Sequence, residues 1–301
     1  MFSVRDAAEK DLAETLKKIK EYGYDGIELA GLYGKTPEEI KAICLDIGLT
    51  PISAHIGYYD LMADADGVLA QYEKIGCKYV VVPWLGEELR YGGSKHGEFM
   101  ENMPMLGKKA KEHNMTLLYH NHDFEFEKIK GTDTYVLDEL YASIPADLLQ
   151  TEIDVCWVGS VGEDPAEYVR KYSGRSPVLH LKDFVGTKKA TAAQVLSMAK
   201  NKNPDENKKF EFRPVGFGVQ NFPEILKAAE EAGKKLYYAE DWLFAPALGK
   251  AMELVEQGAI GKQMYIRARE CHCGSHSPFA QKIEFCGGGS MIHLGCHPIG
   301  F

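Results

Sequence analysis

The residues with the strongest chemical potential lie in four short segments that combine histidines with carboxylates. The segments span residues 119–125, 152–154, 180–183 and 240–241. Side chains two residues apart in a β-strand point to the same face. Three such pairs occur: His120 with His122, Glu152 with Asp154, and His180 with Lys182. If the four segments are neighbouring strand ends, their imidazoles and carboxylates face one shared opening.

This concentration of polar side chains indicates a site for a divalent metal ion. Burying uncompensated carboxylates costs on the order of several kcal/mol, and a bound cation removes that cost. Mixed imidazole and carboxylate ligands suit Mn, Co, Zn or Fe, whereas Mg and Ca prefer oxygen ligands alone. Each residue alone also has a structural explanation, since Asp154 could simply pair with Lys182. Their occurrence in successive segments favours the metal.

A repeating unit positions these segments: an amphipathic helix, then a Gly or Asn, then a short apolar run. The unit recurs around residues 20–29, 46–55, 74–82, 111–120 and 231–240. In each unit we expect the Gly or Asn to end the helix in a left-handed conformation. Helices that alternate with nearly continuous apolar strands indicate a parallel sheet buried on both faces.

Eight strands can be counted in residues 1–243, which predicts an α/β fold, the (β/α)8 or TIM barrel. Three strands add to the five repeats, at residues 149–156, at residues 177–182, and as a short first strand at residues 2–4 before a helix over residues 7–21. An open doubly wound sheet is disfavoured, because no Gly-x-Gly-x-x-Gly turn follows the first strand. Polar residues instead gather at the carboxyl ends of the strands, where barrel active sites lie.

Composition and charge restrict the partners. The 301 residues are 45% hydrophobic and 26% charged, and no apolar run approaches the ~20 residues that span a bilayer. A formal net charge of -9 argues against a nucleic-acid partner, which requires a surplus of Lys and Arg. The first residues lack the features of a secretion signal, and the odd number of 7 Cys indicates reduced thiols. We therefore expect a cytoplasmic protein with a small-molecule ligand, and its oligomeric state stays open.

Several motifs together resemble the sugar phosphate isomerase/epimerase family of the xylose isomerase-like barrel superfamily. They lie at residues 119–126, 154–157, 178–183, 212–218 and 238–241. The resemblance covers about residues 1–241, and inosose dehydratases and ketose 3-epimerases are relatives of that family. Members of the family bind one divalent metal through a Glu, an Asp, a His and a Glu from four successive strands.

The resemblance implies three metal ligands that match the family in type and position: Asp154, His180 and Glu240. The remaining position differs, because this chain reads His-Asn-His at residues 120–122 where many relatives read Glu-Asn-His. His120 therefore stands as the expected fourth ligand, with Glu152 from the neighbouring strand as the alternative.

The implied reaction begins with removal of a proton next to a carbonyl group of a sugar, sugar phosphate or keto-sugar. The metal would polarise the carbonyl and stabilise the enediolate that forms. The candidate acid, base and oxyanion-stabilising residues are Glu240, Glu152, His122 and Lys182. The candidate substrate-binding residues are His55, Trp157, Arg213 and Glu28, with Arg213 on a loop over the site and with Trp84 and Trp157 as apolar platforms.

Two alternative functions are open at this point. The epimerase subgroup carries a substrate-binding His three residues after the metal-binding Asp, and this chain carries Trp157 there. That difference brings dehydration or β-elimination of a keto-sugar, as in inosose dehydratases, into consideration. The other alternative is a catalytically impaired sugar-binding barrel, because the first strand is so short.

Residues 244–301 resemble a different family, the substrate domain of the Gfo/Idh/MocA oxidoreductases. In this segment His297 matches that family, whereas His293 replaces its usual Asp. No Gly-rich nucleotide-binding fingerprint is found, so no NAD is expected. We predict a small α+β fragment here, and the spacings of its Cys and His residues fit no standard zinc pattern.

Overall fold

Six parallel strands form the central sheet and follow one another in chain order. The computed structural model describes residues 1–186 and 210–232, together with Gln257. The strands are β1 Gly26–Leu29, β2 Thr50–His55, β3 Tyr79–Val82, β4 Thr116–His120, β5 Gln150–Asp154 and β6 Val178–His180. Each pairs in parallel with the next. This order requires a crossover after every strand, and helices supply it.

The helices begin and end at sequence signals that the repeats contain. In chain order they are α1 Arg5–Ala8, α2 Leu12–Glu21, α3 Pro37–Ile47, α4 Tyr58–Ala63, α5 Ala65–Ile75, α6 His96–Glu112, α7 Val136–Ser143, α8 Val155–Val161, α9 Pro165–Lys171 and α10 Phe222–Glu231. Thr36 and Glu39 form a reciprocal capping box at the start of α3. Gly48, with φ of 70°, follows α3, and Asn114, with φ of 56°, lies just beyond α6. The predicted left-handed helix ends are confirmed at these positions.

The sheet curls as the wall of a barrel does. In a flat sheet β1 and β6 would lie about 24 Å apart, at roughly 4.8 Å per strand. Here Oε1 of Glu28 in β1 lies 2.9 Å from Nε2 of His180 in β6. Successive residues of β3 and β4, such as Val80, Val81 and Leu118, are fully buried, so both faces of the sheet are covered. The curvature brings side chains from non-neighbouring strands to one point.

The predicted first strand is wrong, because residues Phe2–Val4 form a 3-10 helix. Phe2 and Val4 are both exposed, so this alternating pattern has no buried face to stabilise a strand. The helix predicted over residues 7–21 is divided into α1 and α2. Asp11 interrupts it, since its side chain accepts a hydrogen bond from the backbone nitrogen of Glu14 at the start of α2.

A two-stranded antiparallel hairpin, β7 Asp183–Gly186 with β8 Phe210–Arg213, follows the sheet and was not predicted. Arg213, expected in a loop, is the last residue of β8 and lies opposite Asp183 in register. The buried carboxylate of Asp183 accepts hydrogen bonds from the backbone nitrogens of Gly216, Gly218 and Gln220 at 3.0, 2.7 and 3.3 Å. Asp183 thereby anchors the turn that follows β8.

The chain divides into two compact units, Met1–Lys235 and Leu236–Phe301. The predicted eighth strand, with Glu240, and the predicted C-terminal α+β segment lie outside the described residues, and the boundary at residues 243 and 244 stays a prediction. In residues 1–186 and 210–232, no helix has the length and apolar character needed to cross a membrane.

Candidate metal and substrate site

Three histidines from three strands surround one buried carboxylate. Oε2 of Glu152 lies 2.8 Å from Nε2 of His55, 2.8 Å from Nδ1 of His120 and 3.5 Å from Nε2 of His180. The strand ends bring the four residues together, so that one ligand-capable atom from each lies within 4.8 Å of the others. Glu152 is 0% exposed. Burial raises the pKa of Glu152, which favours a role in proton transfer.

Glu28 adds a second carboxylate to this cluster. Its Oε1 lies 2.9 Å from Nε2 of both His55 and His180. Burial acts to raise the pKa of Glu28, but hydrogen bonds from His180 and His55 hold it well below its usual range. Burial acts to lower the pKa of His55, but its hydrogen bonds to Glu152 and Glu28 raise it to about 9. Glu28 and His55 therefore carry opposite charges.

The two histidines at the end of β4 are held neutral. Burial lowers the pKa of His120 well below its usual value, and the nearby charge of His180 adds to the effect. Burial also lowers the pKa of His122, with Lys182 adding to it. A neutral imidazole is the form that can bind a metal or accept a proton. His122 Nδ1 is buried and has no hydrogen-bond partner in the described part of the chain.

Asp154 lies beside the cluster and is held by a cation. Its Oδ2 accepts a hydrogen bond from Nζ of Lys182 at 2.6 Å and lies 3.5 Å from Nε2 of His120. Its Oδ1 accepts from the backbone nitrogen of Cys156 at 2.9 Å, which caps α8. Burial acts to lower the pKa of Lys182, but Asp154 raises it. Lys182 is therefore a fixed positive charge next to the histidines.

Two residues that the sequence did not single out hold this arrangement in place. Oδ1 of Asn121 accepts from the backbone nitrogen of Asp154 at 2.9 Å, and Nδ2 donates to its carbonyl oxygen at 3.3 Å. Glu125 accepts hydrogen bonds from the hydroxyl of Tyr119 and, at 2.7 Å, from the backbone nitrogen of His122. Burial raises the pKa of Glu125 to about 7. A signal was present in the sequence, because both polar residues lie in the 119–125 segment.

Aromatic rings form a wall next to His122. The ring centroids of Trp84, Phe124 and Trp157 lie 4.7, 5.5 and 5.4 Å from that of the imidazole. Phe210 of β8 stacks on Trp157 with a centroid distance of 5.8 Å and an interplanar angle of 2°. One face of the Trp157 indole, predicted as a platform for a sugar, is therefore covered by the hairpin.

The structure brings most of the predicted site residues close together, but several lie next to other residues than their predicted roles imply. Of the expected metal ligands, His120 and His180 lie in the cluster, whereas Asp154 is paired with Lys182 beside it. His55 and Glu28, expected as substrate-binding residues, lie inside the cluster instead.

Of the predicted residues that the structure describes, Arg213 does not lie at the cluster. Arg213 is exposed, and its guanidinium pairs with Glu211 at 2.7 Å. Glu240 lies outside the described residues, so its predicted roles as ligand and base stay predictions.

The residues present fit a divalent metal. The second oxygen of Glu152, Oε1, is buried and has no hydrogen-bond partner among the described residues. Such an atom costs about 1–3 kcal/mol unless a partner satisfies it. Three imidazoles with one carboxylate form a donor set that suits Zn, Mn, Co or Fe. The candidate ligands are His55, His120, Glu152 and His180.

Comparison with known proteins agrees with the barrel architecture. Residues 16–257 match the sequence model of a family described as xylose isomerase-like TIM barrel. A solved sugar phosphate isomerase/epimerase from Parabacteroides distasonis ATCC 8503 is similar in structure, with a TM-score of 0.59 and 22% identity over 80% of this chain and 89% of that one. No curated protein matches the sequence.

Two further solved structures share the architecture at lower identity. The probable 3-DHS dehydratase AsbF from Bacillus anthracis has a TM-score of 0.53 and 15% identity over 84% of this chain and 94% of that one. The 3-keto-D-glucoside 4-epimerase YcjR from E. coli has a TM-score of 0.50 and 14% identity over 83% and 94%. At these identities the similarity concerns the fold, and the predicted α/β barrel is confirmed.

Proposed function

Because the chain belongs to the xylose isomerase-like TIM barrel family, we propose that it is a metal-dependent isomerase or epimerase acting on a sugar, sugar phosphate or keto-sugar. The observation that carries the proposal is the convergence of His55, His120 and His180 on Glu152, whose Oε1 has no hydrogen-bond partner in the described part of the chain. A divalent metal bound there would supply Lewis-acid polarisation of a substrate carbonyl.

The chain's own residues supply the acid–base groups. Glu152 and the neutral imidazole of His122 are the described candidates for the base that takes the proton next to the carbonyl. Returning this proton to the adjacent carbon gives an isomer, and returning it to the opposite face of the same carbon gives an epimer. Lys182 supplies a positive charge near the oxygen that becomes negative.

A second candidate, dehydration of a keto-sugar, is favoured by the ion pair of Lys182 with Asp154. This pair places an ammonium proton beside the site. Protonating a departing hydroxyl group is what β-elimination requires after the same proton abstraction. The two reactions share their first step and differ in the fate of the intermediate, which is reprotonated on carbon in isomerisation and loses a hydroxyl group as water in dehydration.

Metal content and proton exchange together test the proposal. Wild-type protein exposed to Mn, Co, Zn or Fe is expected to retain about one ion per chain by elemental analysis. Glu152→Gln is expected to lose it, whereas Glu73→Gln, at an exposed carboxylate away from the cluster, is expected to keep it. Wild-type protein in deuterium oxide should then introduce deuterium next to the carbonyl of a keto-sugar, as observed by NMR.

The outcomes separate the candidate functions. An unsaturated keto product would indicate dehydration, and sugar binding with neither exchange nor product would indicate a sugar-binding barrel. Failure of the wild-type protein to retain any of the four metals would contradict the proposal.

A further inference from the structure

Beside the cluster, two buried polar atoms, Nδ1 of His122 and Nε1 of Trp157, have no hydrogen-bond partner among the residues that the structure describes. The described residues contain five such side-chain atoms: Tyr33 Oη, His122 Nδ1, Thr151 Oγ1, Glu152 Oε1 and Trp157 Nε1. The rings of His122 and Trp157 are in contact, with centroids 5.4 Å apart. Trp157 is only 1% exposed, so water does not satisfy its indole nitrogen from bulk solvent. A bound ligand atom would satisfy it.

The chemistry of the donors restricts that ligand atom. The indole nitrogen of Trp157 can only donate, so its partner must be an acceptor. The ammonium group of Lys182, also donor-only, lies 6.0 Å from the Trp157 ring centroid and is fixed by its 2.6 Å hydrogen bond to Asp154. The indole N–H of Trp157 and the charged ammonium group of Lys182 can only donate hydrogen bonds, so together they favour binding of an oxygen atom that gains negative charge.

The packing of Trp157 indicates that it binds a ligand through the N–H group at the edge of its ring rather than by stacking on the ring face. Phe210 stacks on the indole, and Phe212 meets it nearly perpendicularly at 82° with centroids 5.7 Å apart. His122, Phe210 and Phe212 pack around the indole ring, and its N–H group has no hydrogen-bond partner among the described residues. The aromatic packing fixes the direction of that group.

We infer that Trp157, together with Lys182, donates hydrogen bonds to the carbonyl oxygen of the reacting group. The inference rests on the proposed function. In that reaction the base takes a proton from the carbon next to the carbonyl, and the C–H electron pair forms a carbon–carbon double bond. The carbonyl π electrons move to the oxygen, which becomes the oxyanion that these donors stabilise.

The experiment observes the indole directly in the metal-loaded, full-length protein. The chain has 3 Trp, so 15N-labelled tryptophan gives few indole signals, and Trp157→Phe assigns the one from Trp157. Titration with glycolohydroxamate, a mimic of the oxyanion, is expected to shift that signal downfield. Trp157→Phe should weaken binding about tenfold, the loss of one hydrogen bond to a charged group.

Thr151→Val is the matched control. It removes Oγ1 of Thr151, next to Glu152 on β5, which is another buried polar atom with no hydrogen-bond partner among the described residues. It should leave glycolohydroxamate binding unchanged. Saturable calorimetric binding with an unmoved Trp157 signal would overturn the inference and leave the proposed function standing. If the protein holds no metal and binds no hydroxamate, the proposed function and the inference fail together.

Discussion

Glu125 is a buried carboxyl group whose proton uptake should affect the stability of the fold. Burial raises its pKa to about 7 from 4.5, so between these pH values the folded protein binds more protons than the unfolded chain. Stability from this group is therefore present below about pH 4.5 and is lost as the pH rises through 7. The difference of about 2.5 pKa units corresponds to roughly 3 kcal/mol.

Glu125→Gln should remove this pH dependence. Urea denaturation at pH 5 and pH 8 is expected to show that the variant gains stability relative to wild type as the pH rises, by up to about 3 kcal/mol. Tyr119→Phe, which keeps the carboxyl group and removes one hydrogen-bond donor, should retain the wild-type slope. If the difference in free energy of unfolding between Glu125→Gln and wild type stayed constant from pH 5 to pH 8, it would contradict a raised pKa at Glu125.

At the scale of residues, the sequence predicts which residues lie at the site better than it predicts their roles. The sequence places His55 and Glu28 at strand ends and predicts that they bind the substrate. Their contacts with Glu152 and His180 depend on the curvature of the sheet, which no local pattern specifies. The sequence predicts Asp154 as a metal ligand, with pairing to Lys182 as the structural alternative, and in the structure Lys182 donates to it at 2.6 Å.

At the scale of elements, the ends of β4 and β5 are joined by the side chain of Asn121 as well as by the sheet. Asn121→Ala would remove both hydrogen bonds between this side chain and the buried backbone of Asp154, at a cost of about 1–3 kcal/mol. Chemical denaturation should show this loss, together with reduced metal retention because His120 and Asp154 would no longer be held in register.

Asn102→Ala supplies the comparison for this variant. Among the described residues, its half-buried side chain donates to the hydroxyl of Tyr58 in α4 alone, so the loss should be smaller and metal retention should be unchanged. Equal effects of the two substitutions would show that Asn121 is an ordinary polar residue.

Six of the eight predicted strands are confirmed, the one at residues 2–4 is wrong, and the eighth lies outside the described residues. The β1 to β4 segments were predictable because each follows a helix-ending Gly or Asn, and β5 and β6 because Ile153 and Leu179 alternate with the polar residues of the site. Residues 2–4 have the alternation of a strand but no partner to bury it. The hairpin of β7 and β8 was missed because its pairing joins residues separated by a long stretch of chain, which local periodicity does not detect.

At the scale of the whole molecule, metal binding should stabilise the fold more at high pH than at low pH. His55, with its pKa raised to about 9, contributes stability below its usual pKa that is lost as the pH rises through 9. The metal must displace the proton of His55 and that of His180, whose pKa is also raised. Since fewer protons remain to be displaced at high pH, metal affinity should rise with pH.

Calorimetric melting with a saturating metal and with a chelator measures this effect. An ion at 100 times its dissociation constant stabilises by about 2.7 kcal/mol, and the increase in Tm should be larger at pH 8.5 than at pH 6.5. Glu152→Gln should show little increase at either pH. An increase in wild type that does not change with pH would argue against the histidine cluster as the binding site.

Because the turn after β8 is anchored through its main chain, selection on its conformation is independent of selection on its exposed side chains. Asp183 binds the main chain of Gly216, Gly218 and Gln220, and only the conformation of this turn has to be preserved. The exposed side chains of Val215 and Val219 take no part in that anchor and are free to diverge. Because Asp183 directly follows Lys182, this hairpin can acquire new surface chemistry while the position of the neighbouring cation is inherited unchanged.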